Sequence, residues 1–189
     1  MVTSIQEFAQ DYLEIALDAL AGEEAARHDA LDRLPVPVYT TDPNGFVTYW
    51  NQACAEFAGR EPKLGKDRWC VTWKIHTTAG DLLPHDRCPM AVAIKEGRTI
   101  RDEVAIAERP DGTRRAFRPH PTPLFDEAGR MTGAVNMLID VSADQAEALQ
   151  DQARRCERLA KSIEDSRANK ILRQMADGYR RNAMALREG

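Results

Sequence analysis

No stretch of the 189-residue chain holds the roughly 20 consecutive apolar residues that would span a bilayer. Its acidic N-terminus also lacks the basic-then-apolar pattern of a secretion signal, so a cytoplasmic protein, with no membrane partner, is expected. Basic charge is short as well: 26 Lys and Arg stand against 30 Asp and Glu, for a net charge of -4. That balance gives no electrostatic reason to expect nucleic-acid binding. Cysteine is scarce, and Cys54, Cys70, Cys88 and Cys156 form no CxxC pair. A chain of this size needs no disulfide staples, and these thiols are expected to be reduced, Cys54 and Cys156 as small core residues. No Gly-rich nucleotide box is visible, and no full set of nucleophile, base and orienting group. The expectation is that the chain is not an enzyme. What is present, 43% hydrophobic and 30% charged residues, suffices to bury a core.

Three segments follow one another. Residues 1–33 read as a helical extension: Ser4 and Glu7 have capping-box spacing, and Ile5, Phe8, Tyr12, Ile15 and Ala19 form one stripe at steps of three and four. Gly22 is a point of interruption before a second short helix that ends near Leu34. Residues 34–143 change texture. Val36–Thr41 and Phe46–Trp50 are β-prone and flank the turn Asp42-Pro43-Asn44-Gly45. Asn51–Gly59 reads as a short helix, and Pro89–Gly97 as another, with Pro at its start and Gly at its stop. A less regular stretch lies between them. Three strands follow, Glu103–Glu108, Arg114–Leu124 and Thr132–Asp140, joined through Pro110-Asp111-Gly112 and Asp126-Glu127-Ala128-Gly129. The fold class expected is α+β, a five-stranded antiparallel sheet with short helices on one face. Residues 144–189 are helical again. Ala146, Leu149, Ala153, Cys156, Ala160 and Ile163 keep coiled-coil spacing, which loosens at Asp165–Asn169 before Leu172, Met175, Tyr179, Ala183 and Leu186 resume it. One continuous helix and a helical hairpin both fit.

The central segment resembles the PAS family. Asp42 and Gly45 match the turn between that family's first two strands, and Asn51 the residue that caps its first helix. Gly133 to Val141 resembles its last strand, with Asp140 and Ser142 at the exit into a signalling helix. A finer similarity runs from Asp67-Arg68-Trp69-Cys70 through Leu83-Pro84-His85-Asp86-Arg87-Cys88-Pro89-Met90-Ala91. It looks like the sensory regions of bacterial HWE-type histidine kinases. The residues beyond 141 are too few for a kinase ATP-binding module, so kinase activity is not carried over. The family's flavin photosensors need Asn-Cys-Arg-Phe-Leu-Gln, which is absent, and flavin is not expected.

The resemblance implies a domain cavity, for which Tyr39, Trp50, Phe57, Met90, Phe117 and Asn136 are candidate lining residues; ordinary core packing is the alternative. Cys70, His76, His85 and Cys88 carry metal-ligating chemistry at a spacing that matches no common zinc motif. The alternative for them is a loop whose polar side chains cap neighbouring backbone. His85 is also a candidate haem ligand, placed four residues ahead of the helix that starts at Pro89. Its alternative role is to cap that helix with Asp86. Arg114, Arg115, Arg118 and His120 read as a solvated face or an acidic partner's docking surface. The function implied is a sensory module that binds a small ligand or cofactor and relays a change through its flanking helices. A homodimer through those helices is expected, with a signalling partner such as a histidine kinase or response regulator. A ligand-free adaptor and a haem or metal redox sensor are the alternatives.

Overall fold

The computed structural model describes residues 5–22, 24–163 and 165–188, with backbone alone at 5–8 and 24–26. The capping box at Ser4 and Glu7 lies outside the described residues, as do the side chains of Ile5 and Phe8. The elements in chain order are α1 (Ile5–Ala21), α2 (Glu24–Asp32), β1 (Val38–Thr41), β2 (Val47–Trp50) and α3 (Gln52–Ala58). Next come β3 (Lys74–His76), β4 (Leu82–Leu83), a 3₁₀ turn at His85–Arg87 and α4 (Pro89–Glu96). The chain continues with β5 (Ala105–Glu108), β6 (Arg114–Pro119), β7 (Thr122–Phe125), β8 (Met131–Asp140), α5 (Ser142–Ser162) and α6 (Ser166–Arg187).

The α+β class stands, with a wider sheet than expected. Its order is β2-β1-β8-β6-β5-β3-β4, every pair antiparallel, and β7 also pairs with β8. The five strands anticipated become eight for two reasons. The irregular stretch contains β3 and β4, three and two residues long, too short for a period-two pattern to show. The strand anticipated over 114–124 is broken at His120-Pro121. Pro121 has no N–H to donate to a ladder, and β6 and β7 pair with successive parts of β8 instead.

Local chemistry sets the turns. Asp42 Oδ1 accepts from Asn44 N at 2.9 Å and Phe46 N at 2.8 Å, while Gly45 takes φ +84°. A Cβ there would stand 2.1 Å from Trp69 Cε3, so this glycine also admits the indole. Asn51 is wholly buried and caps α3, its Oδ1 accepting from Cys54 N at 3.2 Å and Val38 N at 3.0 Å. Its Nδ2 donates to the carbonyls of Leu31 (3.2 Å) and Val36 (2.9 Å). One side chain thereby ties α2, β1 and α3 together, and every polar atom it buries is matched.

The sheet is covered on both faces, not one. Val47, Phe57, Met90, Ile94, Phe117 and Leu138 belong to the inner core, under α3 and α4. Leu13, Val38, Ile106, Val135, Ile139 and Leu149 belong to the outer core, under the terminal helices. Residues of β8 alternate between the two, which is why Gly133–Ile139 is a continuous buried run. The face that α1 buries is rotated from the anticipated stripe: Ala9, Leu13 and Ala16 are buried, whereas Ile15 is 47% exposed. The C-terminal segment is a hairpin. Asp165 caps α6 by accepting from Ala168 N at 2.8 Å, and the seam residues Ala153 and Cys156 pack on Ala176 within the chain.

Candidate functional site

The inner face of β1 and β8 carries the polar group that the core does not need for packing. Tyr39 and Asn136 are register partners, so both side chains point to the same face. Asn136 Nδ2 donates to the Tyr39 hydroxyl at 3.0 Å, which donates in turn to Trp69 O at 3.0 Å. Asn136 Oδ1 accepts from His120 N at 2.9 Å. Burial, then the neighbouring Cys70 and Cys88 thiols, push the Tyr39 phenol well above its ordinary range. It is a neutral hydrogen-bonding group at any physiological pH.

Around this chain of bonds sit three buried thiols. Cys88 Sγ lies 3.8 Å from Trp69 O, Cys70 Sγ 3.2 Å from Thr72 Oγ1, and Cys54 Sγ 3.3 Å from Val38 O. The Cys88 thiol donates to Cys70, which draws Cys70 down against its burial, and the nearby His85 adds to that. The same bond, with burial, raises Cys88. The environment therefore divides two like groups, one favouring a thiolate and the other a thiol.

Of the anticipated lining residues, Tyr39, Phe57, Met90, Phe117 and Asn136 are buried here, and Trp50 packs against the same core half-exposed. Phe57 meets Phe117 edge to face, ring centroids 5.6 Å apart. These side chains pack against one another as part of one buried cluster.

The four anticipated metal ligands do not gather. Cys70, Cys88 and His85 share the inner side. His76 belongs to β3, where its neighbour Ile75 takes the inner face; its Nε2 stands 3.1 Å from Glu108 Oε2 and its Nδ1 3.3 Å from Gly80 O. Among the described residues no three His, Cys, Asp or Glu converge where they could hold a metal ion. Nor does His85 cap α4 with Asp86: the cap position is Cys88, with no side-chain bond. His85 Nε2 is buried without a hydrogen-bond partner among the described residues.

The basic strand also resolves differently. Arg114 pairs with Glu108 at 2.8 Å and Arg115 with Asp140 at 3.4 Å. His120 is buried, and burial with the Arg101 and Arg118 guanidiniums pushes it down to about 4. It contributes no charge at neutral pH. Glu108, which also holds Lys74 at 2.7 Å, was not apparent from the sequence as a hub, since its partners come from β3 and β6.

The exit from the sheet is pinned. Val141 N donates to Ala116 O at 2.9 Å, and Ala116 N donates to Ser142 Oγ at 2.9 Å. Ser142 N donates to Asp140 Oδ1 at 2.9 Å. The first turn of α5 is thus bonded to β6 as well as continuous with β8.

Comparison with known proteins places this geometry. Among curated proteins none matches. An RNA-binding light-oxygen-voltage receptor is similar at 25% identity over 64% of this chain, TM-score 0.49; the chain spans 35% of that receptor's length. The LOV domain of the blue-light activated histidine kinase of Erythrobacter litoralis is similar at 21% identity, over 58% of this chain and 98% of that domain, TM-score 0.45. A third structure, described as a flavin analogue shedding light on the light-oxygen-voltage domain mechanism, is 16% identical over 67% of this chain and 93% of its own, TM-score 0.46. The expectation that the chain is not an enzyme is withdrawn, a neighbour described as a domain of a histidine kinase standing among those found, and no catalytic role is read from it. The expectation that leaves flavin out is likewise withdrawn, light-oxygen-voltage domains being among the neighbours found. No described helix is long and apolar enough to cross a membrane. The family model of the PAS fold matches residues 31–146, more than half of the chain, and with the antiparallel sheet, the Asn51 cap and the Asp140–Ser142 exit already in view, the chain belongs to the PAS fold family.

Proposed function

We propose that this chain is a PAS sensory module in which a change at the Tyr39–Asn136–Trp69 network is passed along β8 into the α5–α6 hairpin. The observation that carries the reading is the clamp of Val141 and Ser142 onto Ala116. Residues of β8 contribute to both cores, so a shift of Asn136 on one side reaches Val135 and Met137 on the other. The hairpin lies over that outer core through Ala146, Leu149, Ala183 and Leu186. Those residues are what a signalling partner, such as a histidine kinase or response regulator, or a second copy of the chain would meet once the hairpin lifts. An input moves this equilibrium only through different affinity for the docked and lifted arrangements.

A second reading, a ligand-free adaptor, draws support from the filled inner face. Amide hydrogen exchange separates the two. In the relay, Asn136→Ala raises exchange across α5 and α6 as well as at β1 and β8. In the adaptor, the change stays within the sheet, and that outcome sinks the relay. An absorption spectrum of protein expressed with flavin and haem precursors supplies the input side: a band above 300 nm identifies a chromophore, and its absence leaves a colourless ligand.

A further inference from the structure

Two of the three inner thiols stand as a reacting pair, and the relay makes no use of their chemistry. Cys70 follows Trp69 in the loop before β3, and Cys88 holds the cap position of α4. Both are buried in the inner core, at 4% and 1% exposure. Cys88 carries one S–H and has two acceptors within reach, the Trp69 carbonyl at 3.8 Å and the Cys70 sulfur. Thr72 meets Cys70 from the other side, through its hydroxyl at 3.2 Å and its backbone N–H. The bond from Cys88, then His85 and Thr72, draws the Cys70 thiol down against its burial. Once Cys88 gives up its proton, the backbone N–H groups of Met90 and Ala91 in the first turn of α4 face its sulfur. One sulfur is set to attack and its neighbour to follow. Cys54 differs: its S–H donates to Val38 O at 3.3 Å, and burial raises it. Cys156 lies apart, in the hairpin.

The backbone beside the pair is strained. Trp69 takes φ +70°, a conformation that a bulky residue rarely adopts. Its N–H donates to Gly45 O at 2.7 Å, and its carbonyl accepts from both Tyr39 and Cys88. A bond between Cys70 and Cys88 therefore acts on the residue that anchors Tyr39. We propose that Cys70 and Cys88 are a peroxide-reactive dithiol that closes to an intramolecular disulfide, and that this oxidation is an input the module senses. The Cys70 thiolate attacks one oxygen of hydrogen peroxide, the O–O bond breaks, and hydroxide leaves, with Cys70 now a sulfenic acid. That hydroxide takes the Cys88 proton and becomes water. The Cys88 sulfur attacks the Cys70 sulfur, the S–O bond breaks, and the departing hydroxide takes up the proton that Cys70 lost on ionising. The two sulfurs lose two electrons, the peroxide gains them, and two waters leave. Cys88 then has no hydrogen for Trp69 O, and Tyr39 is that carbonyl's one remaining side-chain donor among the described residues. Peroxide is close to water in size, and the turn leading into Cys88 is exposed at Asp86 and Arg87, so a small fluctuation there admits it. As an input the pair rests on the relay; as a redox site it does not.

The test treats the reduced full chain with hydrogen peroxide and maps its thiols by mass spectrometry. Expected is a product lighter by two hydrogen atoms, whose digest joins the Cys70 and Cys88 peptides within one chain and which dithiothreitol restores. Cys88→Ser should stop at a sulfenic acid on Cys70 that dimedone traps, and Cys70→Ser should oxidise at least about tenfold more slowly. The map of the unmodified chain decides the matter even where a variant fails to fold. Oxidation that begins at Cys54 or Cys156, a bridge between two chains, or dimedone labelling of Cys88 in place of Cys70 overturns the pair. Hydrogen exchange of the oxidised chain tests the sensing, with raised exchange in α5 and α6 expected. Unchanged exchange there overturns the input: the fault lies with the pair if Asn136→Ala does raise it, and with the relay if it does not.

Discussion

Asn136 and Tyr39 face each other across β8 and β1, joined by a bond of 3.0 Å from the amide to the phenol. The phenol passes the bond on to Trp69 O, and the amide's oxygen accepts the backbone of His120. A strand pair, the loop before β3 and the β6–β7 break are thus held by two side chains. Removing one partner leaves the others buried and unmatched, which costs more than the bond itself contributes. Tyr39→Phe should lower stability by about 1–3 kcal/mol, read as a reduced urea midpoint with an unchanged slope. A variant as stable as the parent would show that water replaces the hydroxyl.

Asn51 offers a harsher case. Replacement by alanine deletes an α3 cap, an acceptor for Val38 N and donors to the carbonyls of Leu31 and Val36. The cap alone is worth about 1 kcal/mol, and the stranded buried groups raise the expected loss to roughly 3 kcal/mol or more. Asn51→Asp keeps the cap but not the donors. It should fall between the parent and Asn51→Ala in thermal unfolding.

Gly133 is required by the sheet itself. At φ +151° its missing Cβ would stand 2.0 Å from Thr41 O on the paired strand β1. The obstacle is backbone, which cannot swing aside as a flexible side chain does. Gly133→Ala should destabilise by about 3 kcal/mol, lowering the melting temperature by roughly 6–12 °C for a chain of this size. A shift of a degree or two would mean that the β1–β8 pairing yields easily.

Two groups give stability a pH dependence in separate windows. His120 is held neutral, its pKa near 4 in the folded chain against about 6.5 unfolded. Above pH 6.5 neither state is protonated and the contribution is whole. As pH falls from about 6.5 to 4 the unfolded chain takes up the proton first, and stability drops. Glu108 is drawn down to about 2 by its bonds to Lys74 and then Arg114. Its contribution is lost only below about pH 4.3, as pH falls towards 2. Urea midpoints at pH 7.5 and 5 should therefore differ more for the parent than for His120→Gln, and Glu108→Gln should leave that difference alone. Equal slopes in the parent and His120→Gln would refute the assignment.

Much of the core domain was legible because its signals are local. Asp42 to Gly45, Asp111-Gly112 and Asp126 to Gly129 mark turns through bonds and φ angles made within a few residues. Asn51 declares its cap through the next turn of helix. What stayed hidden depends on residues distant in sequence. Strands β3 and β4 are too short to show a period and exist because β5 offers an edge. Trp69 is positioned by the space above Gly45.

The sequence by itself determined the family, the class and the segment order, since patterning and turn chemistry act along the chain. Tertiary structure alone decided which face each helix buries. The stripe through Tyr12 and Ile15 and that through Ala9, Leu13 and Ala16 are alternative apolar faces of one helix, and only the outer face of the sheet selects between them. The same holds for the C-terminal seam, which buries Ala153 and Cys156 against Ala176 of α6 because α5 and α6 form a hairpin. The cysteines followed the same rule: four scattered thiols in the sequence became three gathered around Tyr39 and one in the hairpin, as only packing brings together residues from β1, α3 and the two loops.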